Sequence, residues 1–129
     1  SLYGEMAAVV DKEVWALVSR PFTADSWHGQ ISELVDRRAV LFERIAPFRR
    51  AADRLRHESP FIAEEQARMA SILRDIVRQI IPDDTSAEHV EALDLALSFE
   101  VWSRLRREQG LSIDDAKGVI RRIILGITG

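Results

Sequence analysis

The sequence contains no cysteine, so disulfide bonds, thiolate nucleophiles and thiolate zinc sites are all excluded. Glycine and proline are scarce, with six and four among 129 residues, and few positions can therefore interrupt a helix. No apolar run approaches the roughly 20 residues that a membrane-spanning helix needs, and the N-terminus shows no recognisable signal peptide. We therefore expect a single soluble, cytoplasmic domain over residues 1–129, with no membrane partner.

The sequence also lacks an excess of positive charge. Its 18 lysine and arginine residues are outnumbered by 21 acidic residues, which gives a net charge of −3. A domain that binds nucleic acid usually carries a positive balance on the face that contacts phosphate. We therefore do not expect this chain to bind DNA by itself.

Apolar residues recur at helical spacing, in stretches separated by glycine, proline and capping residues. Strand-like alternation and hairpin turns are not found, so the expected fold class is all-α, with about six helices. The expected helices are Leu2–Arg20, a second helix capped within Thr23–Ser26 and ending near Ala46, Phe48–His57, Pro60–Ile81, a fifth helix opened by Thr85–Glu88 and ending near Glu108, and a last helix opened by Ser112.

Three local signals set these boundaries. Pro47 is expected to kink the chain or restart it as a separate short helix, because proline disfavours the helical conformation of the residue before it. Thr85 and Glu88 have the spacing of a capping box, in which a hydroxyl caps the helix and the glutamate bonds back. Gly110 is expected to end the fifth helix in the left-handed conformation.

The fifth helix is apolar nearly all round, and the last helix carries a stripe of isoleucines. A helix that is apolar on every side is buried on more than one side. One side could pack on the core and the other on a second copy of the chain. Alternatively, both helices complete the core of a monomer, and the pattern alone leaves the two interpretations open.

Three segments resemble parts of the C-terminal halves of TetR-family transcriptional regulators. The segment ALDLALSFEVWSRLRREQGLS, residues 92–112, resembles the penultimate helix of the family and the turn after it. The segment RRAVLFERIAPFRRAA, residues 37–52, resembles the middle of these proteins. The segment LYGEM, residues 2–6, resembles the start of the helix that follows their DNA-binding unit.

The resemblance implies a bacterial regulator, most often a repressor, that forms a homodimer through its last two helices as a four-helix bundle. It also implies a pocket among the middle helices for a small apolar or amphipathic effector. Effector binding would move the first helix, Leu2–Arg20, and release DNA by changing the spacing of two recognition helices. The helix-turn-helix unit of the family is absent, so we expect DNA contact only through an N-terminal domain outside this chain.

Two groups of candidate site residues follow. Large apolar side chains in the middle helices are candidates for lining the pocket, and Gln66 and Asp94 are polar candidates because they interrupt apolar rows. Each could equally be an ordinary core or salt-bridged residue. The ligand-binding candidates are Trp15, Trp27, Phe42, Phe48, Phe61, Gln66, Met69 and Asp94. The dimer-interface candidates are Leu97, Val101, Leu105, Ile120, Ile123, Ile124 and Ile127.

Catalytic and metal-binding motifs are not found. His28, His57 and His89 lack the spacing of metal sites, and the paired acidic residues fall near helix starts, where the helix dipole favours them. A nucleophile elbow and a glycine-rich phosphate loop are also lacking. We therefore expect neither an enzyme nor a cofactor. The rival interpretations are a helical homodimeric interaction module that binds no ligand, and an enzyme built on a helical bundle.

Overall fold

The computed structural model describes residues 8, 12, 15–17 and 19–128. These residues form helices joined by short turns, and they include no strand, which confirms the all-α fold class. Most of the expected first helix, and residues 2–6 with it, lies outside the described residues, although Ala8, Lys12 and 15–17 are helical. No helix among the described residues is long and apolar enough to cross a membrane.

Helix α1, Trp27–Leu55, is the central element of the fold. It begins at Ser26, whose hydroxyl accepts a hydrogen bond from the backbone N–H of Gly29 at 3.1 Å. The helix runs through Pro47 without ending, so the separate short helix expected over Phe48–His57 is wrong. Buried residues lie on both sides of Pro47. We attribute the continuity to their packing, which outweighs the roughly 3 kcal/mol that an internal proline costs.

Helix α2, Pro60–Ile80, has the predicted start, because Ser59 is the N-cap and Pro60 occupies the first turn. Helix α3, Ala87–Ala96, begins one residue later than predicted. Its N-cap is Ser86, whose hydroxyl accepts from His89 N–H at 3.2 Å, whereas the Thr85 hydroxyl donates to the Pro82 carbonyl. The predicted capping box of Thr85 with Glu88 is therefore wrong.

The predicted single helix up to Glu108 is also wrong, because the chain breaks at Leu97 and Ser98. The Ser98 hydroxyl donates to the Leu95 carbonyl and accepts from Val101 N–H, so it caps both sides of the break. Helix α4, Phe99–Ser103, follows directly, and a π-helical turn, Arg104–Glu108, continues it. Serine competes with helical hydrogen bonds in this way at helix ends.

Helix α5, Ile113–Thr128, is the last element. Gly110 precedes it with a φ of 66°, which confirms the predicted left-handed position. Helix α5 packs on α1 and α3, and α1 also packs on α2 and α4. Asp36 on α1 joins Lys117 and Arg121 on α5 at 3.1 and 2.8 Å. Burial by itself would raise the pKa of Asp36. The hydrogen bonds and charges of Lys117 and Arg121 together have the larger effect, so the pKa of Asp36 is lowered.

One apolar core connects these helices. It is built around the buried stripe of α1, onto which the other helices place large apolar residues. Phe42 and Phe99 meet edge to face at the centre, with ring centroids 5.5 Å apart. The largest side chains that are almost fully buried are Trp102, Phe42, Ile31, Leu41, Leu93 and Leu97.

Gly29 offers a test of how tightly the start of α1 is packed. A Cβ at Gly29 would lie 2.7 Å from the Cβ of Ala24, which is closer than side chains approach. We expect Gly29→Ala to lower the free energy of unfolding by about 1–2 kcal/mol, because overpacking outweighs the gain in helix propensity. Chemical denaturation measures the change.

Gly118, in the interior of α5, is the matched control. A Cβ there meets no atom within 4 Å. We expect Gly118→Ala to raise the free energy of unfolding by about 0.5–1 kcal/mol, since alanine favours the helix. If Gly29→Ala raised the free energy of unfolding as Gly118→Ala is expected to do, the close contact at Gly29 would not exist.

Candidate functional site

A partly enclosed cavity of about 210 Å³ lies between α1, α2 and the segment that leads into α1. We call it the Arg37 cavity. Its polar lining comes from Gln30, Arg37, Arg38 and Gln79. Its apolar lining is larger and comes from Leu17, Phe22, Leu34, Leu41, Leu73, Ile76 and Ile80.

Arg38 is the most deeply buried charged residue of the described part of the chain, with 3% of its surface exposed. Its Nη1 donates to the Leu97 carbonyl at 3.0 Å and its Nη2 to the Leu73 carbonyl at 2.5 Å. The first of these bonds serves a carbonyl at the break between α3 and α4. Burial lowers the pKa of Arg38 to about 10, although Asp94 opposes the shift, so the side chain stays charged at neutral pH.

The Nε–H of Arg38 is buried and has no hydrogen-bond partner. Among the described residues, no carboxylate pairs with this guanidinium; Asp94, the acid that influences its pKa, instead pairs with Arg74 at 3.3 Å. A buried donor without an acceptor costs about 1–3 kcal/mol, and more on a charged group. The fold therefore maintains an incompletely satisfied cation inside its core.

Arg37 connects the cavity to the chain that precedes α1. Its Nη1 donates to the Leu17 carbonyl at 2.9 Å and its Nη2 to the Pro21 carbonyl at 2.7 Å. The guanidinium also stacks 4.1 Å from the centroid of the Phe22 ring. Burial, together with the charge of Arg20, lowers the pKa of Arg37. A change in the position of Arg37 would therefore be transmitted to residues 17–22.

A second cavity of about 210 Å³ lies on the other side of Arg38 and Leu73, which line both cavities. We call it the Gln66 cavity. Gln66 donates to Asp53 at 2.8 Å, but its own side-chain oxygen is buried without a partner. The rest of the lining comes from Arg49, Met69, Ala70, Asp94, Ser98, Phe99 and Glu100.

Three of the predicted ligand-binding residues come together. Gln66, Met69 and Asp94 line the Gln66 cavity, although they lie on two different helices. Asp94 is half-buried and forms an ion pair with Arg74, which is the ordinary role weighed for it from the sequence. None of the three lines the Arg37 cavity.

The other five predicted ligand-binding residues lie apart. Trp15 and Phe61 are mostly exposed, with 69% and 54% of their surfaces accessible. Phe42 is a core residue, and Phe48 is half-buried on α1; neither lines the two cavities. Trp27 lines a separate cavity of about 180 Å³ between the start of α1 and the end of α5.

Most of the predicted dimer-interface residues pack within the chain. Leu97, Leu105, Ile120 and Ile124 are buried in the core and are not available to a partner in this conformation. Val101 and Ile127 are partly buried against the same core. Of the seven residues, Ile123 is the most exposed, with 42% of its surface accessible, and with Val119 it lines a shallow groove on the outer face of α5.

The arginines that matter most here, Arg37 and Arg38, were not among the predicted site residues. A signal was present in the sequence. Arg38 follows Leu34 by four residues and precedes Leu41 by three, so it interrupts the apolar stripe of α1 just as Gln66 interrupts that of α2. Arg37, in contrast, is buried only because the preceding segment folds over it, which no helical periodicity reveals.

A polar cluster on the opposite side of α1 holds the π-helical turn in place. Glu43 accepts hydrogen bonds from Trp102 Nε1 at 2.8 Å and from Arg106 Nη2 at 2.9 Å. Arg106 also donates to the Leu111 carbonyl at 2.7 Å, which ties the turn to the start of α5. The hydrogen bond from Arg106 is the main reason why the pKa of Glu43 is lowered, and burial opposes the shift.

The lowered pKa of Glu43 gives a prediction about acid stability. Because the pKa is lower in the folded chain, its contribution is complete above the unfolded pKa of about 4.3 and is lost as the pH falls through the folded pKa. We expect Glu43→Gln to cost about 1 kcal/mol at neutral pH, a small value because the carboxylate is one-third exposed and screened. Denaturation at several pH values should show this difference vanish in acid. A constant difference would contradict the ion pair.

No group of three or more histidine, aspartate and glutamate side chains among the described residues is arranged to hold a metal ion. Comparison of the chain with protein-family models, with curated proteins and with solved structures finds no match.

Proposed function

We propose that this chain is the effector-sensing and dimerisation domain of a cytoplasmic TetR-type transcriptional regulator. The observation that carries the proposal is the Arg37 cavity, whose apolar lining and few placed polar groups are typical of a small-molecule site. The order of three segments that resemble TetR-family proteins supports the same assignment. DNA contact would require a DNA-binding domain outside these 129 residues.

The position of the cavity suits a sensor, because residues that precede α1 form part of its wall. Leu17 and Phe22 line the cavity, and Arg37 holds the carbonyls of Leu17 and Pro21. In a TetR-type regulator, this segment would lead back to the DNA-binding unit. A ligand that displaced Leu17 or Arg37 would therefore shift the helix that carries that unit, so effector and operator would favour different states.

The dimer would form through the outer face of α5. Ile123 is exposed there, and with Val119 it lines a shallow groove on this face. Light scattering after gel filtration should show a dimer that Ile123→Glu converts to a monomer. Val40→Glu, which changes an exposed residue of α1, should leave the dimer intact. A wild-type chain that is monomeric at every concentration would contradict this part of the proposal.

Ligand binding is tested with two probes of one chain length, octan-1-ol and octanoate. We expect calorimetric titration to show that the wild-type chain binds at least one of them with a stoichiometry of one. Ile76→Trp places a large ring in the wall of the cavity and should abolish this binding. Val40→Trp adds the same ring at an exposed position and should retain it.

The sensing function fails if neither probe binds, or if Ile76→Trp binds as the wild-type chain does while remaining folded by circular dichroism. In that case, the chain would be a helical interaction module whose cavity is a packing defect. A filled or collapsed cavity would also leave the melting temperature unchanged by either probe, since only binding to the folded state raises it.

A further inference from the structure

We infer that the ligand of the Arg37 cavity is an anion, a carboxylate carried on a short aliphatic body, with its head at Arg38 and Arg37. This inference rests on the proposed sensing function and specifies the chemical class of the effector. It follows from three observations: the charge of the lining, the unsatisfied donor of Arg38 and the size of the apolar part.

The first observation is that both charged groups of the lining are cations. Arg37 and Arg38 are buried, with 8% and 3% of their surfaces exposed. All four of their hydrogen bonds go to main-chain carbonyls, and none of the described residues that line the cavity is a carboxylate. Glu33, the described acid that influences the pKa of Arg37, accepts hydrogen bonds from the backbone N–H groups of Thr23 and Ala24. A carbonyl has only a partial charge, so neither cation is paired with a full counter-charge from the part of the chain that the structure describes.

The second observation is the buried Nε–H of Arg38, which no acceptor contacts. Both terminal nitrogens of this guanidinium already donate, whereas Nε has no partner and almost no accessible surface, so an oxygen would have to enter the core beside it to accept its bond. Charge-assisted bonds from a guanidinium to a carboxylate are about twice as strong as bonds between neutral groups. An anion at this place would therefore satisfy the donor and offset the cost of burying the charge.

The Gln66 cavity does not share this preference, although Arg38 borders it too. Two carboxylates, Asp94 and Glu100, line that cavity together with Arg38 and Arg49. Glu100 pairs with Arg49 at 2.9 Å, and Asp94 pairs with Arg74. An anion there would meet acidic groups as well as basic ones. The Arg37 cavity therefore offers the more favourable field for a negative head group.

The third observation concerns the body of the ligand. Apart from Gln30 and Gln79, the remaining lining is aliphatic or aromatic, from Leu34, Leu41, Leu73, Ile76 and Ile80 on the helices to Leu17 and Phe22 in the preceding segment. The volume of about 210 Å³ is below the roughly 300–1,000 Å³ of pockets for drug-sized ligands. A short alkyl chain suits this space and gains by leaving water, by about 0.8 kcal/mol for each buried CH₂.

The test compares octanoate, octan-1-ol and octylammonium, which share one chain and differ in the charge of the head. We expect the wild-type chain to bind octanoate at least about tenfold more tightly than octan-1-ol, the size expected for a hydrogen bond to a charged group. Octylammonium should bind least. Acetate, which has the head without the chain, should bind more weakly than octanoate.

Arg38→Met removes the charge while keeping a long side chain, and it should reduce the preference for octanoate over octan-1-ol to about twofold or less, since the charge-assisted bond is lost. Arg78→Met, at an exposed position of α2 outside the cavity, should keep the wild-type preference. If Arg38→Met does not fold, the three-probe series on the wild-type chain still decides. Equal binding of octanoate and octan-1-ol would contradict the inference that the ligand is an anion, but it would be consistent with the sensing function. Binding of neither probe would contradict the sensing function itself.

Discussion

Replacing Trp102 with alanine is expected to lower the free energy of unfolding by about 3–5 kcal/mol, the range for removing a large aromatic side chain from a core. Trp102 lies on α4 with 2% of its surface exposed. Its indole N–H donates to Glu43 on α1, so the side chain joins the two helices by packing and by a hydrogen bond. Denaturant titration followed by circular dichroism measures the change.

Trp102→Phe separates the two contributions. Phenylalanine keeps a large apolar ring but cannot donate to Glu43, which retains its bonds from Arg106. We expect a loss smaller than that of Trp102→Ala, combining the missing part of the ring with about 1 kcal/mol for the hydrogen bond. If the alanine variant lost less than the phenylalanine variant, Trp102 would not be the core residue described above.

Replacing Leu93 with alanine is expected to cost about 2–5 kcal/mol, because the deletion leaves a cavity where Leu93 has no accessible surface at all. Leu95 is the matched control. It is the same residue type two positions away on α3, but 63% of its surface is exposed. We expect Leu95→Ala to change stability by no more than about 0.5 kcal/mol.

The comparison of Leu93→Ala with Leu95→Ala tests which side of α3 packs on the core. Sequence periodicity treats Leu93, Leu95 and Leu97 alike, as parts of a helix that is apolar all round. The structure buries Leu93 and Leu97 and exposes Leu95. Equal losses for both alanine variants in dilute solution would mean that Leu95 is buried too, either by a different packing of α3 or by a second copy of the chain. Repeating the measurement on the Ile123→Glu monomer distinguishes these two cases.

The helical fold could be predicted from the sequence because its signals are local. Ser59 followed by Pro60 starts α2, and Gly110 adopts the left-handed conformation, as their residue types require. Pro47 misled the prediction, because burial of Phe42 and Ile45 before it and of Ala52 after it depends on distant helices. Local propensity cannot include the free energy of such tertiary packing.

The break at Ser98 also has a signal in the sequence, although a weaker one. Serine is a preferred N-cap, but within an apolar run it is equally compatible with an unbroken helix. Besides the two bonds of Ser98, the break is stabilised by Arg38, which donates to the Leu97 carbonyl from a position 59 residues earlier in the chain. A bond between such distant residues cannot be inferred from spacing.

The candidate site was predictable only in its general character. An apolar pocket with a few polar groups among the middle helices was expected; the Arg37 cavity has that composition, whereas most residues that line the Gln66 cavity are polar or charged. Gln66, Met69 and Asp94 do line one of them. The Arg37 cavity was not predictable, since it forms where Leu17 and Phe22 fold against α1 and α2. Large aromatic residues were weighted too heavily, because size alone does not place a side chain at a cavity.

The most direct measurement is a nuclear magnetic resonance titration of the isotopically labelled chain with octanoate, in which every backbone amide reports separately. Binding in the Arg37 cavity predicts saturable shifts at Leu34, Arg38, Leu73 and Ile80, whose side chains line it, and at Phe22 in the preceding segment. Amides on the outer face of α5 should not move. If the shifts were confined to α5, or did not saturate anywhere, the chain would have no ligand site between α1 and α2.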